Sequence, residues 1–145
     1  MVLGFTDQGL LPAGVHDAKW SEVEELGTNA RRQQLLVALR DACLALGSAG
    51  CSALYLDGSF VTTKEFPNDY DACWDWRGVD PALLDPILTD FSTAGRAAMR
   101  GKYLGDLFIA TQTEGASGLT FLDFFGQTRD GTPKGIVLIN PQEVP

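Results

Sequence analysis

Two aspartates separated by one residue, Asp69 and Asp71, are the side chains of this sequence best suited to chemistry. They follow the turn residues Pro67 and Asn68 and lead into an apolar stretch, so we expect them at the start of a β-strand. Side chains alternate along a strand, which places both carboxylates on one face. Adjacent carboxylates repel each other and together need a cation. Oxygen ligands of this kind suit Mg²⁺, which also binds substrate phosphates.

A glycine and a serine, Gly58 and Ser59, lie upstream of this pair, and nine residues separate Ser59 from Asp69. An apolar run predicts a strand over residues 51–57 that ends at this turn. A glycine turn lets backbone N–H groups approach a phosphate. Lys64 lies within chain reach of a phosphate bound there, although an exposed loop lysine is an equally good interpretation.

The clearest helix is predicted over residues 29–46, where leucines recur every three or four positions. Thr28 or Asn29 can cap its first turn. Arg31 and Arg32 follow, and a pair of arginines at this point is usually solvated, although it could also reach a phosphate. Short helical turns are expected upstream, within an N-terminal arm over residues 1–27 whose first 18 residues are irregular.

A second helix is predicted over residues 79–91, with Asp80 as N-cap and Pro81 at its first position. We expect Pro86 to kink or split this helix, because proline removes a backbone hydrogen bond. Three cations follow the predicted helix, and they either solvate a helix end or contact a triphosphate. They are Arg96, Arg100 and Lys102.

A third strand is predicted over residues 103–111, and Asp106 lies within it. A charge inside an apolar run is costly unless it is paired, hydrogen-bonded or metal-bound, so Asp106 is a candidate site residue. Asp123, in the apolar segment 117–125, is its rival, and that segment can form a helix or a strand. Residues 135–140 predict a last strand, which we place in a hairpin at the sheet edge with Lys134 beside it.

The composition indicates one domain and limits the partners. The chain has 145 residues, with 11 Lys and Arg against 19 Asp and Glu, giving a net charge of −8. This charge repels nucleic acid and anionic membranes, so a nucleotide or a protein partner fits better, and nucleic acid is possible but not favoured. Three cysteines in apolar settings indicate reduced core thiols, and neither a signal peptide nor a membrane-spanning run is seen, so we expect a cytoplasmic protein.

Gly58-Ser59 followed at this distance by Asp69 and Asp71 resembles the signature of the DNA polymerase β superfamily of nucleotidyltransferases in its minimal form. Three segments are also similar to a poorly characterised family of small bacterial and phage nucleotidyltransferase-like proteins: GLLPAGVHDA (9–18), LDGSFVTTKEFPNDYDACWD (56–75) and DGTPKGIVLI (130–139). The resemblance implies an α/β fold over residues 1–145, with a mixed β-sheet flanked by helices and the N-terminal arm packed on it.

The resemblance also implies a function. Asp69 and Asp71 would hold Mg²⁺ or Mn²⁺, Asp106 rather than Asp123 would be the third carboxylate, and the Gly-Ser turn with Lys64 would hold the phosphates of an NTP. An NMP would then move from that NTP to a hydroxyl of a protein, an RNA or a small molecule. Toxin–antitoxin and phage-defence pairs contain small enzymes of this kind. The alternative is an inactive domain of the same fold that binds a partner or a nucleotide without turnover.

Overall fold

The computed structural model describes residues 4–145, and the described part of the chain holds five strands and four α-helices. The strands are β1 Gly14–Asp17, β2 Leu54–Asp57, β3 Tyr70–Trp74, β4 Gly105–Ile109 and β5 Gly135–Ile139. The helices are α1 Trp20–Val23, α2 Ala30–Ser48, α3 Thr93–Tyr103 and α4 Phe121–Phe125. No helix within this part of the chain combines the length and apolar character needed to cross a membrane.

The strands form one sheet in the order β1-β5-β2-β3-β4. β1 and β5 run parallel, as do β3 and β4, whereas β2 is antiparallel to both of its neighbours. The predicted α/β class, a mixed sheet flanked by helices, is therefore confirmed. The antiparallel pairing of β2 with β3 brings the end of β2 beside the start of β3, and the parallel pairing of β3 with β4 brings the start of β4 beside the same point.

The sheet has one apolar face and one mixed face. Leu56, Ala72, Leu107 and Val137 occupy neighbouring strands, are fully buried, and join the main core with the apolar side of α2. The opposite face carries a smaller cluster that includes Cys73 and several phenylalanines around α4. This smaller cluster does not extend to the start of β3, and polar side chains occupy the mixed face there.

The predicted helix over residues 29–46 is confirmed as α2, and the Asn29 side chain caps it by accepting a hydrogen bond from Arg32 N. The helix predicted over residues 79–91 is wrong, because only Pro86–Thr89 forms a short 3₁₀ turn there. Pro86 cannot donate a backbone hydrogen bond, and the Asp80 carboxylate closes a local turn instead by accepting from Ala82 N.

The hairpin predicted at the sheet edge is also wrong, because β5 lies between β1 and β2 inside the sheet. Its apolar sequence suits an internal strand, since four of the five residues of Gly135–Ile139 are buried. The edge position belongs to β1, so the N-terminal arm is not irregular throughout. Residues 1–3 of the predicted arm lie outside the described residues.

The remaining expectations concern the arm and the thiols. Residues 4–27 pack on the domain through side chains buried in the main core, and α1 confirms the predicted helical turns. The segment 117–125, for which the sequence allowed either a helix or a strand, contains the helix α4. Cys43, Cys51 and Cys73 are free and buried, which confirms the prediction of reduced core thiols.

Candidate functional site

Three aspartates stand side by side on the mixed face of the sheet. Asp57 is the direct partner of Asp71 across the antiparallel pair β2–β3, and Asp71 is the direct partner of Asp106 across the parallel pair β3–β4. Residues directly opposite each other in a sheet project to the same face, so the three carboxylates form a row. Asp69 lies two residues before Asp71, just ahead of β3, and is exposed.

Asp57 was not among the candidates that sequence reasoning identified. It ends the predicted first strand and directly precedes Gly58, so the signal available was its place at a strand end beside the turn. Its pairing with Asp71 depends on strand register, which the sequence pattern does not give. Of the two carboxylates that sequence analysis weighed against each other, Asp106 lies beside Asp71, whereas Asp123 is exposed on α4.

The two outer carboxylates of the row are each compensated by cations. The Lys134 ammonium donates a hydrogen bond to Asp57 Oδ1, and both side chains are largely buried. Arg100 binds Asp106 with two parallel hydrogen bonds, Nε to Oδ1 at 2.9 Å and Nη2 to Oδ2 at 3.0 Å. A second cation, Arg96, lies 3.7 Å from Asp106 Oδ1.

The central carboxylate has no such partner. Among the described residues, neither Asp71 nor Asp69 accepts a hydrogen bond from a side chain or forms an ion pair. Burial raises the pKa of Asp71 to about 6, and the carboxylates of Asp69, Asp106 and Asp57 add to the rise, while Lys134 opposes it. Charge at Asp71 is therefore costly in the free protein and would be relieved by a cation placed beside it.

The glycine of the turn is required by its contact with Asp71. Gly58 has a φ of +84°, a backbone conformation that favours glycine. A Cβ atom added there would lie 3.0 Å from both the backbone N and the Oδ2 atom of Asp71. The 3₁₀ turn Ser59–Val61 begins directly after Gly58, the residue that contacts Asp71.

The connection between the turn and β3 is held by α2 through a buried arginine. Arg32 is 4% exposed, and its guanidinium donates to the carbonyl oxygens of Phe60 at 2.8 Å and Thr62 at 2.7 Å, and to those of Leu26 and Lys64. The expectation that Arg32 is solvated at the helix start is therefore wrong. Its five donors match carbonyls that an irregular segment would otherwise leave unpaired.

Two more side chains of the α2 N-terminus hold the rest of this connection. Asn29 Nδ2 donates to the carbonyl oxygen of Glu65 at 2.6 Å. Arg31 donates to the carbonyl oxygens of Pro67 and Asn68, the two residues directly before Asp69. The start of α2 thus fixes where the chain re-enters the sheet, and with it the position of the carboxylates.

A cavity of about 450 Å³ opens beside the row, at the β2 side. Asp57, Gly58, Ser59 and Asp71 line it, together with the cations Lys134 and Arg129 and part of the aromatic surface of α4. Lys64 is not brought to this cavity, because it lines a separate one of about 390 Å³ with Arg32. Lys102 is also engaged elsewhere, in a 2.6 Å ion pair with Asp85.

The carboxylates do not form a closed metal cage. Within residues 4–145, no group of three His, Cys, Asp or Glu side chains is arranged to hold a metal ion. Arg100 occupies both oxygens of Asp106, so only Asp69 and Asp71 offer oxygens without a competing cation. A donor set of two carboxylates fits Mg²⁺, which commonly completes its shell with water and substrate phosphates.

Comparison with known protein families places the chain in one of them. A model described as a family of unknown function, DUF6932, matches residues 3–140. The chain belongs to this family. The match spans all five strands and the row of aspartates. Comparisons with curated proteins and with solved structures gave no match.

Proposed function

We propose that the protein transfers a nucleoside monophosphate from an NTP to a hydroxyl acceptor in a Mg²⁺-dependent reaction. The observation that carries the proposal is Asp71, a largely buried carboxylate without a cationic partner, placed between two compensated carboxylates and against a glycine turn. Carboxylates with a raised pKa that line a cavity cluster at functional sites, whereas buried structural aspartates are generally paired, and this supports the proposal.

The charge balance of the row supports a divalent cation. Four carboxylates gather here, on Asp57, Asp69, Asp71 and Asp106, and three cationic side chains contact only the two outer ones. A cation bound by Asp69 and Asp71 would neutralise the part of the row that the protein leaves uncompensated. When bound, Mg²⁺ would stabilise the negative charge of the transferring phosphoryl group.

The cavity at the β2 side supports a triphosphate. Lys134 and Arg129 supply positive charge, the turn brings backbone close, and Ser59 adds a hydroxyl. Its volume of about 450 Å³ lies within the range of ligand pockets. Lys134 would take the place that sequence analysis gave to Lys64, since it already reaches the row through Asp57.

A second candidate function is binding of a nucleotide without turnover. The observation that favours it is the bidentate pair between Arg100 and Asp106, which engages both oxygens of the third carboxylate. A protein in which this pair persists in the presence of nucleotide would bind an NTP and leave the acceptor hydroxyl protonated. Metal and nucleotide binding without product would then be observed.

The test is incubation with each α-³²P-labelled NTP and Mg²⁺ or Mn²⁺, with a lysate of the source as a pool of acceptors. We expect a labelled product that is lost in Asp71→Asn and Asp69→Asn. Asp7→Asn, an exposed position with the same charge change, is the matched control and should retain activity. Calorimetry with Mn²⁺ should show binding to wild type and not to Asp71→Asn. Absence of both label and Mn²⁺ binding would reject the proposal.

A further inference from the structure

The row of aspartates has two chemically different sides. Gly58, Ser59 and the 450 Å³ cavity lie at the β2 side of Asp71, whereas Asp106 and the helix α3 lie at the β4 side. Adjacent strands are about 4.8 Å apart, so the row is roughly 10 Å long. This length accommodates a phosphoryl group in the middle with a different molecule at each end.

In-line transfer fixes which molecule lies at which side. The attacking and leaving oxygens lie on opposite sides of the phosphorus. If the triphosphate occupies the cavity at the β2 side, as in the proposed function on which this inference rests, its leaving pyrophosphate lies there too. The acceptor hydroxyl must then approach over Asp106, from the side of α3.

The α3 side of the row, where the acceptor would lie, carries more positive charge than is required to compensate the Asp106 carboxylate. Arg96 and Arg100 are four residues apart on α3, and their side chains are 40% and 51% exposed. Arg100 alone satisfies both oxygens of Asp106, and Arg96 makes only the 3.7 Å contact. The buried Nε of Arg96 has no hydrogen-bond partner among the described residues, while its guanidinium lies 5.4 Å from the centre of the Phe108 ring.

We propose that Arg96 and Arg100 bind a phosphate group of the acceptor. Guanidinium groups bind phosphate with paired, charge-assisted hydrogen bonds, and two arginines one helical turn apart can hold a single phosphate between them. Arg100 would exchange its carboxylate partner for that phosphate, which frees Asp106 to accept a hydrogen bond from the acceptor hydroxyl. Binding of the acceptor phosphate would then release Asp106 from Arg100 in the same step.

The charge distribution favours a small phosphorylated acceptor over a polynucleotide. The net charge of −8 repels a polyanion more strongly with each added phosphate. The cationic patch is only two side chains wide, because Lys102, the next cation on α3, is paired with Asp85. A polynucleotide site would need a longer basic stripe.

The experiment compares AMP with adenosine, which share the 2′- and 3′-hydroxyls and differ at the 5′-oxygen, where AMP carries the phosphate. Binding is measured by calorimetry with the NTP side saturated by Mg²⁺ and α,β-methylene-ATP, and transfer is measured with α-³²P-labelled NTP. We expect AMP to bind at least tenfold more tightly than adenosine. Arg96→Gln and Arg100→Gln should remove that preference, raise the KM for AMP tenfold or more, and leave affinity for the nucleotide analogue unchanged.

Lys102→Gln, with the same charge change on the same helix, is the control and should keep the preference for AMP. Equal binding of AMP and adenosine, with intact binding of the analogue, would overturn this inference alone. So would label that appears only on single-stranded RNA or on protein. Failure of the analogue to bind, with no label on any acceptor, would overturn the proposed function and this inference together.

Discussion

At the scale of single residues, Asp71 differs from its neighbours because the protein provides cations for Asp57 and Asp106 and none for Asp71. Its folded-state pKa of about 6 lies above the ordinary aspartate value of 3.8. Between these two values the folded protein binds more protons at Asp71 than the unfolded chain does. The free energy of unfolding therefore falls as the pH rises through this window.

We expect Asp71→Asn to stabilise the protein at pH 8 by about 3 kcal/mol, since the pKa of Asp71 rises by about two units and each unit corresponds to about 1.4 kcal/mol. At pH 4 the gain should shrink to near zero, because Asp71 is then protonated in the folded protein. Urea unfolding at both pH values measures the difference. Asp7→Asn, an exposed substitution, should show no comparable pH dependence, and an equal gain from Asp71→Asn at both pH values would contradict the prediction.

The pair of Asp57 and Lys134 joins the turn to the start of β5. Burial raises the pKa of Asp57, and Lys134 opposes that rise. Lys134→Met should destabilise the protein by about 3 kcal/mol at pH 7, because it leaves a buried carboxylate without a partner. Adding Asp57→Asn to Lys134→Met should recover much of the loss. A double variant as unstable as the sum of the two single variants would show that the pair is not coupled.

At the scale of elements, the sequence predicted the local structure better than its interactions. The apolar stripe and the cap located α2, and the alternation of Tyr70, Ala72 and Trp74 located β3. The sequence did not reveal that Arg32 binds carbonyls 28 to 32 residues away, since contacts between a side chain and a distant irregular segment leave no periodic signal. Such contacts depend on the tertiary fold.

The role of Arg32 can be measured against a matched arginine of the same helix. Arg32→Met leaves several carbonyls of the connection without donors, so we expect a loss of about 3 kcal/mol in the free energy of unfolding. Amide exchange should also become faster over residues 60–68. Arg40→Met, at an exposed position of α2, should change stability by less than about 0.5 kcal/mol. Equal effects of the two variants would show that Arg32 does not hold the connection.

At the scale of the whole molecule, the class of the fold could be predicted and the order of the strands could not. Alternating and helical patterns are local, so they indicated strands flanked by helices. The pairing of Gly14 with Gly135 joins opposite ends of the chain, and that pairing places β5 inside the sheet. The same limitation applied to the site, where Asp69 and Asp71 stood out by spacing but Asp57 was identified only by register.

The three cysteines can test whether this sheet and its helices unfold as one unit. Cys43 lies on α2, Cys51 lies just before β2 and Cys73 lies on β3, and all three thiols are buried. Burial raises the pKa of each thiol, that of Cys43 to about 12, so neither access nor thiolate is available in the folded protein. A thiol reagent should therefore react only through unfolding.

We expect all three thiols to be labelled with one rate constant that equals the rate of global unfolding when reclosing is slow relative to labelling. Ser52→Cys, at an exposed position beside Cys51, is the positive control and should react at once in the folded protein. Mass spectrometry resolves the individual sites. Early labelling of Cys51 alone would show that the segment before β2 opens separately, so that the strand leading to Gly58 is not part of the cooperative core.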